Sequence, residues 1–204
     1  IIPFFILIAF LLKLTGENEV FYLQERIGYK NKKFKIFKFA TMVKNSPNIG
    51  TKSITLRNDP RVLPFGKILR KTKLNELPQI INVLKGDMSL VGPRPQMEVD
   101  FNKFPKEKRN SIYLSKPGIT GIGSIIFRDE EKWISEYKGK DKHLFYTNSI
   151  APYKTELELW YLKNKSIKND LIIIFITAWV IIFSESKIIY KIFKNLPKPK
   201  SNFR

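Results

Sequence analysis

Residues 63–95 read LPFGKILRKTKLNELPQIINVLKGDMSLVGPRP, and the organisation of the chain follows from this stretch. Its first part, 63–84, is the most helical region of the sequence, interrupted by Pro64 near its start and by Pro78. A helix starting near Leu77 holds Pro78 in its first turn, where a missing N–H breaks no intrahelical bond. Such a helix places Ile80, Ile81 and Leu84 on its buried side. Residues 86–95 contain Gly86, Gly92, Pro93 and Pro95 and cannot remain helical. A tight, shaped loop is expected there, with Arg94 fixed between two prolines.

Upstream, residues 20–23 are strand-like, and 33–39 begin with clean alternation at Phe34 and Ile36 before Phe37 and Phe39 dispute the register. The basic segment 26–33 reads as a turn, so 20–39 is expected to form a hairpin. Residues 44–60 form a loop rich in Asn, Ser, Gly and Pro, punctuated by Asn58, Asp59 and Pro60. Downstream, 99–112 reads as charged and partly helical with a break at Pro105, 116–123 as a second rigid glycine-rich loop, and 131–162 as further helix. Neither an internal repeat nor a low-complexity linker divides the chain, so one compact domain is the economical reading.

Both ends are apolar. Residues 1–12, IIPFFILIAFLL, form an uninterrupted apolar run that contains Pro3. At roughly 1.5 Å per helical residue the run is too short for a hydrocarbon core of about 30 Å. A signal peptide would want a basic leader and a small-residue cleavage site, and the sequence has neither. Three readings stay open: the tail of a spanning helix, a re-entrant helix bent near Pro3, or a buried core helix. The chain opens at Ile1 without an initiator methionine, which reads as a fragment or a processed chain. Residues 171–183, LIIIFITAWVIIF, form the second apolar run. Its β-branched content suits a buried strand. Its flanks favour a helix in the lipid headgroup region: Lys163, Lys165 and Lys168 precede it, Lys187, Lys191, Lys194, Lys198, Lys200 and Arg204 follow, and Trp160, Tyr161 and Trp179 are close by. The tail from Pro197 is expected to fray.

Lys and Arg number 37 against 18 Asp and Glu, a formal charge of +19 that calls for a polyanionic neighbour. Nucleic acid, an anionic membrane surface and phosphorylated substrates all qualify. A nucleic-acid binder would have to hide two apolar ends, so no nucleic-acid partner is expected. The absence of Cys excludes disulfides, thiolate metal sites and cysteine nucleophiles. The single histidine, His143, rules out a multi-histidine metal site and reads as an ordinary surface residue. Chemistry therefore falls to carboxylates, arginines and loop amides. Glycine-rich loops bring backbone N–H groups close to phosphate, and the arginine fork grips phosphate oxygens. The acidic run 129–131 reads as a charge cluster at a helix N-terminus, and its position after Phe127 and Arg128 leaves a donor-pocket role open.

Residues 69–95, together with 21–28, 38–42, 58–62, 116–121 and 156–170, closely resemble the signature of the bacterial sugar transferases. These are the monotopic polyprenyl-phosphate phosphoglycosyl transferases that start capsule, exopolysaccharide, O-antigen or protein-glycan assembly. The resemblance covers essentially the whole chain. It implies an α/β (α+β) fold: a small monotopic membrane-associated domain with an N-terminal re-entrant helix, a short β-hairpin and several helices, some of them interfacial and amphipathic. On that basis residues 1–16 would be the end of the re-entrant helix, and 17–204 the sugar transferase domain with a membrane-interface helix near 166–195. The implied reaction moves a sugar 1-phosphate from a UDP-sugar to undecaprenyl phosphate and releases UMP, with magnesium as cofactor, at the cytoplasmic face of the bacterial inner membrane. Anionic inner-membrane lipids, downstream glycosyltransferases and a second copy of the chain in a homodimer complete the implied partners.

In similar enzymes an Asp carboxylate attacks the donor β-phosphate, and the lipid phosphate resolves the phosphosugar-enzyme. That Asp–Glu pair falls on Asn75 and Glu76 here. An amide cannot form the usual acyl phosphate, and it is a weaker magnesium ligand than a charged oxygen. The resemblance assigns Glu76, Asn75 and Arg70 to catalysis, and Arg94, Lys38, Arg61 and Lys116 to phosphate or substrate binding. Asn75 and Asp59 fall to the metal, and Pro3 and Trp179 to the membrane. Ala40 is a second departure, since a basic residue often stands there in similar chains. A catalytically silent member acting as a membrane-bound partner in polysaccharide assembly therefore stands beside the enzyme reading.

Overall fold

The computed structural model describes residues 2–50, 55, 58–139 and 141–199. Helix α1 (Ile2–Thr15) precedes a hairpin of β1 (Phe21–Ile27) and β2 (Lys33–Phe39). Helix α2 (Pro64–Lys71), a 3-10 turn (Leu74–Glu76) and α3 (Gln79–Leu84) lead to β3 (Ser89–Val91). Next come α4 (Glu98–Phe101), α5 (Lys106–Ile112), β4 (Gly118–Thr120) and α6 (Ile122–Ile126). The remainder is helical: α7 (Glu130–Glu136), α8 (Lys142–Phe145), a π-helical turn (Tyr146–Ile150), α9 (Ala151–Lys163), α10 (Ile167–Ile182) and α11 (Ile188–Ile192). The result is a mixed α/β domain with small sheets. β1 and β2 pair antiparallel, and β3 and β4 pair parallel.

The hairpin forms as the alternation predicts, and its register resolves the dispute over Phe37 and Phe39. Tyr22, Gln24 and Arg26 stand opposite Lys38, Ile36 and Phe34, on one face. Phe21 and Phe39 pair on the other face, where the Phe5 ring of α1 lies 4.9 Å from Phe39 and 5.8 Å from Phe21. Ile36 and Phe39 are both buried because each face of the hairpin is covered by a different part of the chain.

Helix α3 departs from expectation. Gln79 and Asn82 are its buried side, whereas Leu84 is 83% exposed and Ile80 and Ile81 are only partly covered. The cause is an edge strand that needs partners. Asn82 Oδ1 accepts from the Phe37 N–H at 3.0 Å, and Asn82 Nδ2 donates to the Lys35 carbonyl at 2.8 Å. The side-chain amide thus replaces a neighbouring strand along β2. The turn before α3 also breaks the expected helix: Lys73 adopts φ 61°, so Asn75 and Glu76 sit on a 3-10 turn.

The two glycine-rich loops are not smooth turns, since each carries a three-residue strand and the two strands pair. Their glycines are consumed by this crossing. A Cβ on Gly118 would lie 2.0 Å from the Gly92 nitrogen, and one on Gly121 would lie 2.2 Å from the Gly92 carbonyl oxygen. The Gly92 and Gly118 amides donate to the Thr120 and Pro93 carbonyls at 2.9 and 3.0 Å. The expected phosphate-cradling role of these glycine amides is therefore not what the glycines serve. Long-range strand pairing overrides the local turn signal.

The main core gathers around α9, with Leu157 and Tyr161 packed among Ile112, Tyr113, Ile122, Ile173 and Ile176. The β-branched run at 171–183 is helical, started by Ser166, whose hydroxyl accepts from the Asn169 N–H at 3.2 Å. Ile173, Ile176 and Val180 form the buried stripe of α10, while Leu171, Phe175, Trp179, Ile182 and Phe183 face outward. Helix α1 likewise buries Ile8 and Leu12 and exposes Phe4, Ile6, Leu7, Phe10 and Leu14. Pro3 occupies the first turn of α1, which runs as one helix. Among the described residues no helix is long and apolar enough to cross a membrane. Part of the 44–60 loop and the cationic tail positions Lys200 and Arg204 lie outside the described residues.

Asn82→Ala leaves two groups of β2 without partners, at about 1–3 kcal/mol each. The variant is expected to lose about 2–6 kcal/mol in denaturant unfolding while keeping its helix content.

Candidate active site

A cleft of about 1620 Å³ opens between the hairpin face that carries Gln24, Arg26 and Lys38, the Leu74–Glu76 turn, Arg94, and the N-terminal part of α7. At its centre Arg94 grips Glu76 with both arms: Nη2 donates to Oε1 at 2.5 Å and Nη1 to Oε2 at 3.1 Å. Burial works against a Glu76 carboxylate, but the Arg94 fork, with Lys38 and Lys73 beyond it, holds the group well below the usual carboxylate range. Glu76 in turn raises Arg94 above the ordinary guanidinium value.

Cations outnumber this carboxylate. Burial, and next the charge of Arg26, push Lys38 well below an ordinary lysine. Burial lowers Lys73 and Arg26 as well. Arg26 is steadied by Gln24 Oε1, which accepts from its Nε at 3.1 Å and its Nη2 at 2.5 Å, and by the Pro95 carbonyl at 3.1 Å. Among the described residues Lys38 donates only to that same Gln24 oxygen, at 3.5 Å. A desolvated group of like charges around one carboxylate is costly on its own and favours an incoming polyanion.

Asn75 is buried beside Glu76, and its Oδ1 has no hydrogen-bond partner. Arg70, at the end of α2, pairs with Glu131 of α7 across the cleft. Asp59 and Arg61 also line the cleft but engage each other: Arg61 Nε and Nη2 donate to the two Asp59 oxygens at 2.9 and 2.6 Å. Arg61 Nη1 adds the Ser46 and Ile49 carbonyls at 2.9 and 3.1 Å, which ties down the 46–49 segment. The structure therefore brings Lys38, Arg70, Asn75, Glu76, Arg94, Asp59 and Arg61 to one cleft. Lys116 is not among its lining residues; it is exposed, its ammonium lying close to Gly86. Pro3 and Trp179 are on the exposed faces of α1 and α10.

Sequence reading passed over Gln24, Arg26 and Lys73. The first two had a usable signal, because period-two alternation through a hairpin of known register puts them on the face of Lys38. Lys73 had none, since its position depends on a left-handed backbone conformation. The acidic run does begin a helix, with Asp129 at its N-cap position. It also supplies counter-ions: besides Glu131 with Arg70, Glu130 receives the buried Lys154 ammonium at 2.7 and 2.8 Å. His143 is exposed, as expected.

Magnesium does not fit the residues present as a resident ion. The described residues contain no group of three or more His, Cys, Asp or Glu placed to hold a metal. Glu76 and Asp59 are each taken by an arginine fork, and the unpartnered oxygen beside Glu76 is a neutral amide.

The structure is a mixed α/β domain whose cleft gathers Arg26, Lys38, Lys73 and Arg94 around Glu76, beside helices with exposed apolar faces. The comparisons make that class specific. The model of the family "Bacterial sugar transferase" matches residues 1–184. The chain is 35% identical over 183 residues to the UDP-N-acetylgalactosamine-undecaprenyl-phosphate N-acetylgalactosaminephosphotransferase of Aeromonas hydrophila, covering 88% of this chain and 39% of that protein. It is 31% identical to the UDP-galactose-lipid carrier transferase of Erwinia amylovora, covering 89% of this chain and 37% of that one. Against the exopolysaccharide production protein ExoY of Rhizobium meliloti the identity is 33%, covering 86% of this chain and 75% of that protein. The chain spans about two fifths of the length of the first two relatives. It belongs to the bacterial sugar transferase family.

The pair at the centre of the site has a pH signature. Glu76 is depressed below its ordinary 4.5, so it stabilises the fold above that value, and the stabilisation is lost as pH falls below it. Glu76→Gln is expected to lower the melting temperature at neutral pH and to flatten its decline on acidification, measured by thermal unfolding from about pH 7 to about pH 3.

Proposed function

We propose that this chain is a phosphoglycosyl transferase domain that moves a sugar 1-phosphate from a UDP-sugar to undecaprenyl phosphate and releases UMP. The observation that carries the reading is the convergence of Arg94, Arg26, Lys38 and Lys73 on Glu76 and Asn75 inside one cleft, in a member of this family. A nucleotide diphosphate bound there meets several cations, most of them partly buried, and the Arg94 fork suits two phosphate oxygens.

Glu76 serves this reading as an orienting group. Both of its oxygens are occupied by Arg94, and its depressed basicity makes it a poor proton acceptor. Asn75 supplies no carboxylate, so a covalent phosphosugar-enzyme does not form on it. Transfer by the chain as given then requires direct attack. An oxygen of the lipid phosphate forms the new P–O bond to the sugar-bearing phosphorus, while the bond from that phosphorus to the bridging oxygen breaks and the oxygen leaves with UMP. Asn75 also supports a second reading, a silent member that binds donor without turning it over and acts as a membrane-bound partner in polysaccharide assembly.

The membrane part of the proposal is monotopic attachment, with the domain on the cytoplasmic face of the bacterial inner membrane and α1 as the end of a re-entrant helix bent near Pro3. Residues 1–16 and 17–204 would then be the membrane element and the transferase domain. Support comes from the outward apolar faces of α1 and α10 and from Phe175, Trp179 and Phe183, which stack along α10 with ring centroids 6.3 and 4.4 Å apart. Ile181 and Ile182 at the end of α10 border the cleft that Arg94 lines, so a lipid phosphate would enter it from that surface. Anionic lipids would meet the flanking lysines, while downstream glycosyltransferases and a second copy of the chain are the remaining proposed partners.

Two outcomes are expected. With UDP-sugar, magnesium and undecaprenyl phosphate, Asn75→Asp should release UMP faster than the native chain by roughly two orders of magnitude. With donor alone it should gain the mass of a sugar phosphate, an adduct absent from the native chain; equal turnover of the two chains would point to direct attack in both. Replacing both Phe175 and Trp179 by Asp should release the chain from anionic vesicles in a flotation assay without altering its circular dichroism.

A further inference from the structure

Behind the Arg94–Glu76 fork lies a carboxyl that no step above uses. Glu158 projects from α9 and is 3% exposed. Its Oε1 accepts from the Arg94 main-chain N–H at 3.4 Å, and its Oε2 is buried without a hydrogen-bond partner. The fold leaves space for this group on the α6 side, where a Cβ on Gly123 would lie 2.3 Å from Glu158 Oε1. The Arg94 carbonyl is held from another direction, by the Tyr113 hydroxyl at 2.7 Å and Gln96 Nε2 at 3.2 Å. Arg94 is thus gripped at its N–H, its carbonyl and its guanidinium by three different parts of the chain.

Packing alone does not call for a carboxyl at this place. A buried acid with a single long hydrogen bond and an unpartnered oxygen costs stability, and an apolar side chain would fill the space without that penalty. We propose that Glu158 is a positioning residue of the donor site: its carboxyl fixes the main chain from which the Arg94 fork reaches into the cleft, and its charge sets how strongly that fork holds an anion. The identity of the anion as a sugar nucleotide rests on the transferase reading; the coupling to Arg94 does not.

Burial pushes Glu158 up to about 7, against the opposing pull of the Arg94 N–H and of the Lys154 and Arg94 charges. The groups facing it are Lys154 and Tyr161 from α9, Arg94 from the 92–95 segment and Tyr113 from the end of α5; α6 brings no titratable group. Tyr113 and Tyr161 are pushed up and stay neutral, and Arg94 stays charged. Near neutrality the acid behind Arg94 is therefore the member of this set that changes charge. Its raised value means that the fold favours the protonated form, and that stabilisation is lost as pH rises through about 7. Once ionised, Glu158 competes with an incoming anion for Arg94.

The test uses the full chain in detergent, the near-isosteric Glu158→Gln and the truncation Glu158→Ala. The first readout is the Arg94 Nε–Hε nuclear magnetic resonance signal, assigned with Arg94→Lys, followed from about pH 5.5 to about pH 8.5. The second is binding of UDP-N-acetylgalactosamine, whose diphosphate carries no phosphate proton near neutrality. The native signal is expected to titrate near neutrality and the Glu158→Gln signal to stay flat. Native affinity should fall by about threefold or more as pH rises across neutrality, Glu158→Gln should hold the acid-side affinity throughout, and Glu158→Ala should bind about tenfold more weakly. An Arg94 signal indifferent to Glu158→Gln would overturn the proposal, as would equal binding by native and Glu158→Ala chains. An Arg94 signal that follows Glu158 in a chain that binds no sugar nucleotide would uphold the positioning role and refute the donor reading instead.

Discussion

The crossing of two backbone segments at Gly92, Gly118 and Gly121 is the contact on which the site depends. None of the three can carry a Cβ, because each would drive it into a neighbouring main-chain atom within 2.4 Å. The direction in which Pro93, Arg94 and Pro95 leave this crossing is therefore set by backbone sterics and two ring constraints. From there Arg94 reaches Glu76, the Pro95 carbonyl accepts from Arg26, and the Gln96 carbonyl accepts from the Ile27 N–H at 2.8 Å. Hairpin, turn and loop meet because one short parallel pairing fixes where the loop begins.

What meets there is electrostatically unbalanced. A partly buried ion pair recovers little more than its own desolvation, and here further cations crowd the same carboxylate. Lys38 shows the strain most clearly, since its ammonium has one long hydrogen bond and no carboxylate of its own. The rim behaves differently. Glu130 and Glu131 extend from the first turn of α7 to Lys154 and Arg70, on either side of the helix. Lys154 and Arg70 are thus each paired with a carboxylate, whereas Lys38, among the described residues, is not.

The apolar surface is organised around the same cleft. Helix α10 has 16 residues, below the roughly 20 that a spanning helix needs, and α1 also presents exposed apolar side chains. Each divides its apolar side chains between a buried stripe and an open face, which a solvated helix does not do at this density of Phe, Leu and Ile. The buried stripe of α10 packs against the main core, and its last turn reaches the cleft. An apolar face joined to cleft cations is the combination that the proposed acceptor, a lipid with a phosphate head, would call on.

The sequence by itself determined the family, through the 69–95 motif and its outlying segments, and with it the mixed α/β class, the hairpin and the break at Pro105. The resemblance also puts the family's expected carboxylate at Asn75, a reading that rests on residue identity alone. Tertiary structure decided the rest. Asn82 is buried and Leu84 exposed because β2 has an unsatisfied edge, which no periodicity within α3 can report. The glycines of the two loops serve each other rather than a phosphate because residues 92 and 118 are neighbours only after folding. Glu158 acquires its raised proton affinity from burial against a loop 64 positions away in sequence. Motif and alternation are local properties that a chain carries unfolded; desolvation and the pairing of distant backbone exist only where the folded chain excludes water.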